Sequence, residues 1–184
     1  MAKDNDVWAV LATSPSMSQA IADQVQGRCR VVAVSDSWRL APWADALAST
    51  DAAWWKAHPD AVAKFAGKRF GLMASFRPVP GVEQLTIATT HTNSGLFGLM
   101  VAVHLGAKRV ALCGVDLNCP GEHFFGRHPA PLKPTTAPRM EEFKRQFTRY
   151  RPRGVEIINC SPSSALECYP KGDLSSWLTE QKLS

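Results

Sequence analysis

The sequence predicts an α/β fold built around a mostly parallel central sheet. Three observations carry that expectation. Short runs such as VWAVLA (7–12) and RVVAVS (30–35) are apolar on both faces, as strands covered by helices on both sides are. These runs alternate with segments of helical spacing. The stretch 85–117 reads as strand, buried helix and strand, a βαβ crossover.

Each element follows from local chemistry. VWAVLA is too short for a helix and is expected as a buried strand. Met17, Ile21 and Val25 share one helical face, and Gly27 ends that helix. RVVAVS is β-branched and central, ALAST (46–50) is a shorter strand, and DAAWWKA is helix-like. KRFGLMA (68–74) and LTIATT (85–90) are expected as two more strands. NSGLFGLMVAVHLGA (93–107) is apolar on nearly every face, with Thr92 and Asn93 as candidate N-caps and Gly106 as its stop. KRVALCGVDL is a strand ending at Gly114. A Pro-rich loop (129–138) precedes the basic amphipathic helix MEEFKRQFTRY, the strand GVEIINCS and a closing helix, LSSWLTEQ.

The 184 residues suit a single domain, 1–184, with a core that needs no metal or disulfide staple. No apolar run reaches the ~20 residues that cross a bilayer. The start MAKDNDVWAVLA has no basic n-region, so a soluble, cytoplasmic protein is expected. Five cysteines without framework spacing are expected as reduced thiols. Between Arg127 and Arg153 eight Lys/Arg face only Glu141 and Glu142, which leaves a net −1 for the rest of a +5 chain. That segment is either a solvated basic helix or a face for phosphate, nucleic acid or an acidic small molecule. Its aromatics Phe143, Phe147 and Tyr150 recur at helical spacing, which marks a core stripe more than a base-stacking platform; nucleic acid is not the expected partner. Trp38, Trp43, Trp54 and Trp55 either pack the core or wall a pocket.

In parallel α/β sheets, ligands sit outside the carboxyl ends of the strands. Those ends carry TSPS (13–16), SDSW (35–38), STD (49–51), THTNSG (90–95), GVDLN (114–118) and NCSPSS (159–164). Small hydroxyl, amide and glycine residues let backbone N–H groups approach a phosphate at a helix N-terminus. Each is also a good cap or turn, and Asn93-Ser94-Gly95 is the sharpest case. In CGVDLNCPGEHFFGRH (113–128), Cys113 lies within a strand and reads as a small hydrophobe. Cys119, His123 and His128 match no common structural zinc spacing, and no metal is expected. Asp116, in a Gly-x-Asp at the strand end marked by Gly114, suits a hydroxyl, ribose or divalent ion. His123 and His128 are candidate general acid/base groups. G-x-S-x-G, G-x-G-x-x-G and Walker A motifs are absent from the sequence.

The block THTNSGLFGLMVAVHLGAKRVALCGVDLN resembles the T/R-x-x-S-G-x-x-(helix)-x-L-G-(strand)-G-x-D core of the bacterial sialyltransferase-like clan. That clan includes CMP-sialic-acid-dependent lipooligosaccharide sialyltransferases and 6-hydroxymethylpterin diphosphokinase-like proteins. Through SDSWRLAPWADALASTDAAWW, HFFGRH and NCSPSSALECYPKGDL the chain is also similar to phage-encoded members of unassigned activity, over residues 7–178. The resemblance implies a three-layer Rossmann-like fold with a short lid, 117–138, after the G-x-D strand.

It also implies a nucleotide site. Ala12-Thr13-Ser14-Pro15-Ser16 stands where the family's sialyltransferases have G-x-G-P-S; Pro15 and Ser16 match, and Ala12 and Ser14 replace both glycines. Ser35-Asp36 stands for an Asn-Gln-like pair. Asn93, Ser94 and Gly95 fall on the T-S-G nucleotide contacts, and Gly114 and Asp116 on G-x-D. His128, with His123 beside it, falls on the catalytic histidine. The implied activity is a nucleotide-sugar-dependent glycosyltransferase without metal or other cofactor. Ser14, Ser16, Ser94 and Gly95 then hold phosphate, while Asp36, Asp51 or Asn93 hold base and ribose. Arg127 and Arg139 offset leaving-group charge. The alternatives are a pyrophosphokinase-like relative with Mg²⁺ on Asp116, or a non-catalytic phage protein binding a nucleotide or a partner.

Overall fold

The computed structural model describes residues 4–72, 78–86, 93–130 and 132–180. Seven strands form one sheet: β1 (Asp4–Leu11), β2 (Cys29–Val34), β3 (Ala46–Ser49), β4 (Lys68–Leu72), β5 (Glu83–Leu85), β6 (Arg109–Cys113) and β7 (Glu156–Asn159). Their order is β5-β4-β3-β2-β1-β6-β7, and every pairing is parallel. The helices are α1 (Gln19–Val25), α2 (Ala52–Ala57), α3 (Pro59–Lys64), α4 (Ser94–His104), α5 (Ala137–Arg149) and α6 (Leu174–Glu180). The architecture is thus the expected α/β one, a parallel sheet flanked by helices in a Rossmann-like three-layer arrangement.

The two-sided strands explain the layers. Along β1, Trp8 and Val10 enter the core beneath α4 and α5, whereas Val7, Ala9 and Leu11 enter the opposite core with α1, α2 and α6. A period-2 backbone does this whenever both alternating sets are apolar. Phe143 and Phe147 of α5 are buried in the first core and Tyr150 packs against it, so the aromatic stripe faces inward. Trp54 and Trp55 are buried in the second, with Trp38 and Trp43 packed against it.

Helix α4 positions the site. It lies across β1, β2 and β3, with Leu96, Phe97 and Leu99 buried; each such side chain contributes about 2 kcal/mol of transfer free energy. It comes close to the sheet because of Gly98: a Cβ there would lie 2.6 Å from Val34 Cγ2 and 3.0 Å from Val10 Cγ1. The chain winds outward from β1 to β5, and α4 then carries it back to β6 on the other side of β1. The order of strands therefore reverses between β1 and β6. That is where an open parallel sheet leaves a crevice at its carboxyl edge.

Some boundaries differ from the sequence expectation. Helix α5 begins at Ala137, because Pro138 fits a first helical turn and Met140 N–H bonds Thr136 O. Strand β5 begins at Glu83; residues 87–90 of the expected LTIATT strand, and Thr92, lie outside the described residues. Helix α3 and a 3-10 turn, Ser35–Arg39, have no counterpart in the sequence reading.

Candidate functional site

A cleft of about 820 Å³ opens at the β1/β6 reversal, a volume suited to a nucleotide-sized ligand. Thr13, Ser14, Ser35, Asp51, Asn93, Ser94, Gly95, Gly114, His123 and His128 all line it. Those ten predicted site residues are brought together. Ser16, Asp36 and Asp116 do not line the cleft.

The first turn differs from the expected phosphate cradle. Ala12 N–H donates to Cys113 O (2.8 Å) and Ser14 N–H to Gly114 O (3.0 Å). Ser16 N–H donates to Asp116 Oδ2 (3.0 Å) and Met17 N–H to Ser14 O (2.9 Å). Asp116 is 2% exposed and also accepts from Ser16 Oγ, while its own N–H donates to Ser14 Oγ at 3.0 Å. Its carboxyl group therefore clasps the β1–α1 turn to the end of β6. Gly114 makes the clasp possible. At φ 71° it turns the chain, and a Cβ there would sit 2.9 Å from Ala12 O.

Anion-directed chemistry gathers instead at the start of α4. Asn93 Oδ1 caps the helix by accepting from Leu96 N–H at 2.7 Å. Ser94 Oγ accepts from Thr50 N–H at 3.1 Å, which ties the helix to the end of β3. A Cβ on Gly95 would approach Asn93 Oδ1 at 3.3 Å and Ala12 Cβ at 3.8 Å, so glycine keeps this corner open. The N-terminal end of an eleven-residue helix carries about half a positive charge. Lys133, Arg139 and Lys56 also line the cleft, against Asp51 and Glu122. Asp51 caps α2 through Ala53 N–H at 2.7 Å. Arg127 is exposed beside Glu122 (3.9 Å) and is not part of the lining.

The remaining wall is a histidine cluster backed by a buried acid. Ser35 has φ 46°, a left-handed conformation that costs an L-residue on the order of 1–3 kcal/mol. Ser35 Oγ donates to Ser49 Oγ (3.1 Å) and Ser37 Oγ to Ala12 O (2.7 Å), which hold the turn in place. Asp36, 1% exposed, is thereby aimed inward rather than at a ligand. Oδ1 meets Arg39 Nη2 at 2.7 Å and His58 Nε2 at 3.4 Å; Oδ2 accepts from Trp54 Nε1 at 2.7 Å and faces His128 Nδ1 at 3.8 Å.

His128 lies 4.4 Å from His123, centroid to centroid, and His123 Nδ1 is 2.9 Å from Thr13 Oγ1. Phe125 stacks on His123 at 5.0 Å, and Phe124 N–H donates to Thr13 O at 3.0 Å, pinning the lid to the first turn. Burial, reinforced by His128, pushes His123 down to about 4. Burial also lowers His128, opposed by the Asp36 charge. In both rings burial favours the neutral form, whose unprotonated ring nitrogen can accept a proton from a hydroxyl group.

Among the described residues, no three His, Cys, Asp or Glu side chains gather as a metal site. Cys119 Sγ contacts Asn118 Oδ1 at 3.0 Å. The sequence reading missed His58 and Arg39. Their signal was available, since His58 follows Trp54 by four residues and Arg39 follows Asp36 by three, the spacings that share a helical face.

Among the described residues no helix is long and apolar enough to cross a membrane. No protein-family model, curated protein or solved structure matches the chain.

Proposed function

We propose that this chain is a nucleotide-binding, transferase-like protein that moves a glycosyl group from a nucleotide sugar to an acceptor hydroxyl. The observation that carries the reading is the pairing, in one nucleotide-sized cleft, of a cationic helix-start corner with neutral His128 backed by Asp36. Phosphate oxygens would sit at the start of α4, with Arg139 and Lys133 meeting charge that builds on the leaving phosphate. His128 takes the acceptor proton as the acceptor oxygen bonds the glycosyl carbon and the glycosyl–phosphate bond breaks. Asp36 stabilises the resulting imidazolium, and His123 holds the neighbouring wall. The resemblance to the sialyltransferase-like clan supports the same chemistry.

Two versions remain distinguishable. A Mg²⁺-dependent pyrophosphokinase-like reaction has less support, because the Asp116 carboxyl is engaged by Ser16 outside the cleft lining. EDTA added to a nucleotide-binding assay should leave binding unchanged. A non-catalytic binding protein is favoured by one observation: the first-turn amides, engaged within the protein, give a phosphate less grip than glycines would.

A thermal-shift panel of CMP, CDP, UDP, GDP, ATP and nucleotide sugars is the primary test. A ligand at 100-fold its dissociation constant stabilises the folded chain by about 2.7 kcal/mol. Silence across the panel removes the proposal. For a ligand that binds, His128→Ala should abolish turnover while affinity persists; unchanged turnover in both His128→Ala and His123→Ala removes the catalytic role.

A further inference from the structure

A second groove, of about 630 Å³, lies on the other side of the β1–α1 turn, between α1 and the segment that runs from β7 to α6. Ser16, Gln24, Lys171 and Ser175 line it, and at its base is Cys160, 8% exposed. Cys160 stands one residue beyond β7. The pairing Leu112↔Asn159, continued by the bond from Cys160 N–H to Leu112 O at 2.8 Å, sets Cys160 opposite Cys113 at the end of β6. Both cysteines belong to the same core, so both side chains leave the sheet on the same face. Opposed residues on neighbouring strands stand about 5 Å apart, within the Cα separation that a disulfide spans. Both strands end at this level, β6 at Cys113 and β7 at Asn159.

We propose that Cys160 is a hydroperoxide-reactive thiol and that Cys113 is the thiol that resolves it into a disulfide. The pair is polarised for these roles. A hydrogen bond from Cys113 lowers Cys160, favouring its thiolate, while the same contact and complete burial push Cys113 up. Cys160 reaches solvent through the groove; Cys113, 0% exposed, does not. In the first step the Cys160 thiolate attacks the outer peroxide oxygen. An S–O bond forms, the O–O bond breaks, and the alkoxide or hydroxide leaving group takes a proton from water. In the second step Cys113 sulfur attacks Cys160 sulfur. An S–S bond forms, the S–O bond breaks, and water departs with the Cys113 proton. Two thiols are oxidised by two electrons as one peroxide is reduced to an alcohol (or water) and a second water is released. The site is independent of the nucleotide reading.

The test uses the full chain, reduced and then treated with hydrogen peroxide near stoichiometry. Peptide mapping should find one intramolecular disulfide joining Cys113 to Cys160, lost on reduction. With Cys113→Ser, or with Cys113→Ala should the serine variant not fold, Cys160 should be trapped by dimedone as a sulfenic acid. Cys160→Ser should remove both signals while near-ultraviolet circular dichroism stays native. Cys160 should also react at least about tenfold faster than the part-exposed Cys119 and Cys168, as a lowered thiol does. Comparable rates at all three, a disulfide linking any other pair, or no dimedone adduct at Cys160 in either Cys113 variant would overturn the proposal.

Discussion

Lowering the pH provides a test of the histidine wall that needs no ligand. His123 is lowered to about 4 by burial and by His128, against about 6.5 in an unfolded chain. A base whose folded value lies below its unfolded one is bound by more protons in the unfolded state. Its contribution to stability is complete above about pH 6.5 and is lost as the pH falls toward 4. Applied in full, the shift removes about 2.5 kcal/mol between pH 7.5 and 4.5; solvent around this half-buried ring reduces that to roughly 1 kcal/mol. Urea unfolding at those two pH values should show the loss in the parent chain. His123→Gln should lose less by about the same amount, since the amide does not titrate. Chemical-shift titration of the His123 ring gives the direct reading. A ring titrating at or above 6.5, or equal pH slopes in the two proteins, would refute the claim that His123 is held neutral.

Asp36→Asn keeps the shape that Trp54 donates to but removes the charge that opposes the lowering of His128. His128 should titrate lower still, and the fold should lose about 1–3 kcal/mol with the Arg39 pairing; an unmoved His128 titration contradicts the pairing seen at 3.8 Å. Gly114→Ala places a Cβ at φ 71° and 2.9 Å from Ala12 O. The expected loss is about 3 kcal/mol, or roughly 10 °C in melting temperature. Gly154→Ala, also at positive φ but with nothing within 4 Å, should cost about a third of that; equal losses would mean the β1–β6 clasp is not tight.

Local periodicity made much of the architecture readable. A strand such as β1, apolar at every position from Val7 to Leu11, has only one comfortable environment, between two helical layers. The α4 segment announces itself by Asn93, Gly106 and, between them, the stretch Leu96–Val103 without a polar side chain. Short elements stabilised from afar left no such trace. The turn at Ser35–Arg39 is held by Ser37 reaching Ala12, and α3 has a single buried residue, Ala61.

The site shows the same division. Asn93, Ser94 and Gly95 form a contiguous signal, and they do meet in the cleft. Asp116 carries a ligand-like signature, two residues beyond Gly114 just past a strand end, but its partner Ser16 is a hundred residues away and only the fold brings them together. Asp36 likewise reads as a ligand carboxylate until the strained Ser35 turns it inward toward Arg39, His58 and Trp54. Hydroxyl-rich turns suggest free amides; whether those amides are already engaged depends on neighbouring strands, as at Ser14 and Gly114.

The central claim is that a phosphate-bearing nucleotide seats at the start of α4 within reach of Arg139. Amide chemical-shift mapping during titration with the nucleotide panel addresses it most directly. Saturable shifts are expected at Ser94 and Gly95, with Thr50 and the His128 ring responding, and at least about tenfold weaker binding in Arg139→Gln. Shifts confined to the groove around Cys160, or none at Ser94 and Gly95 for any nucleotide that binds, would contradict it.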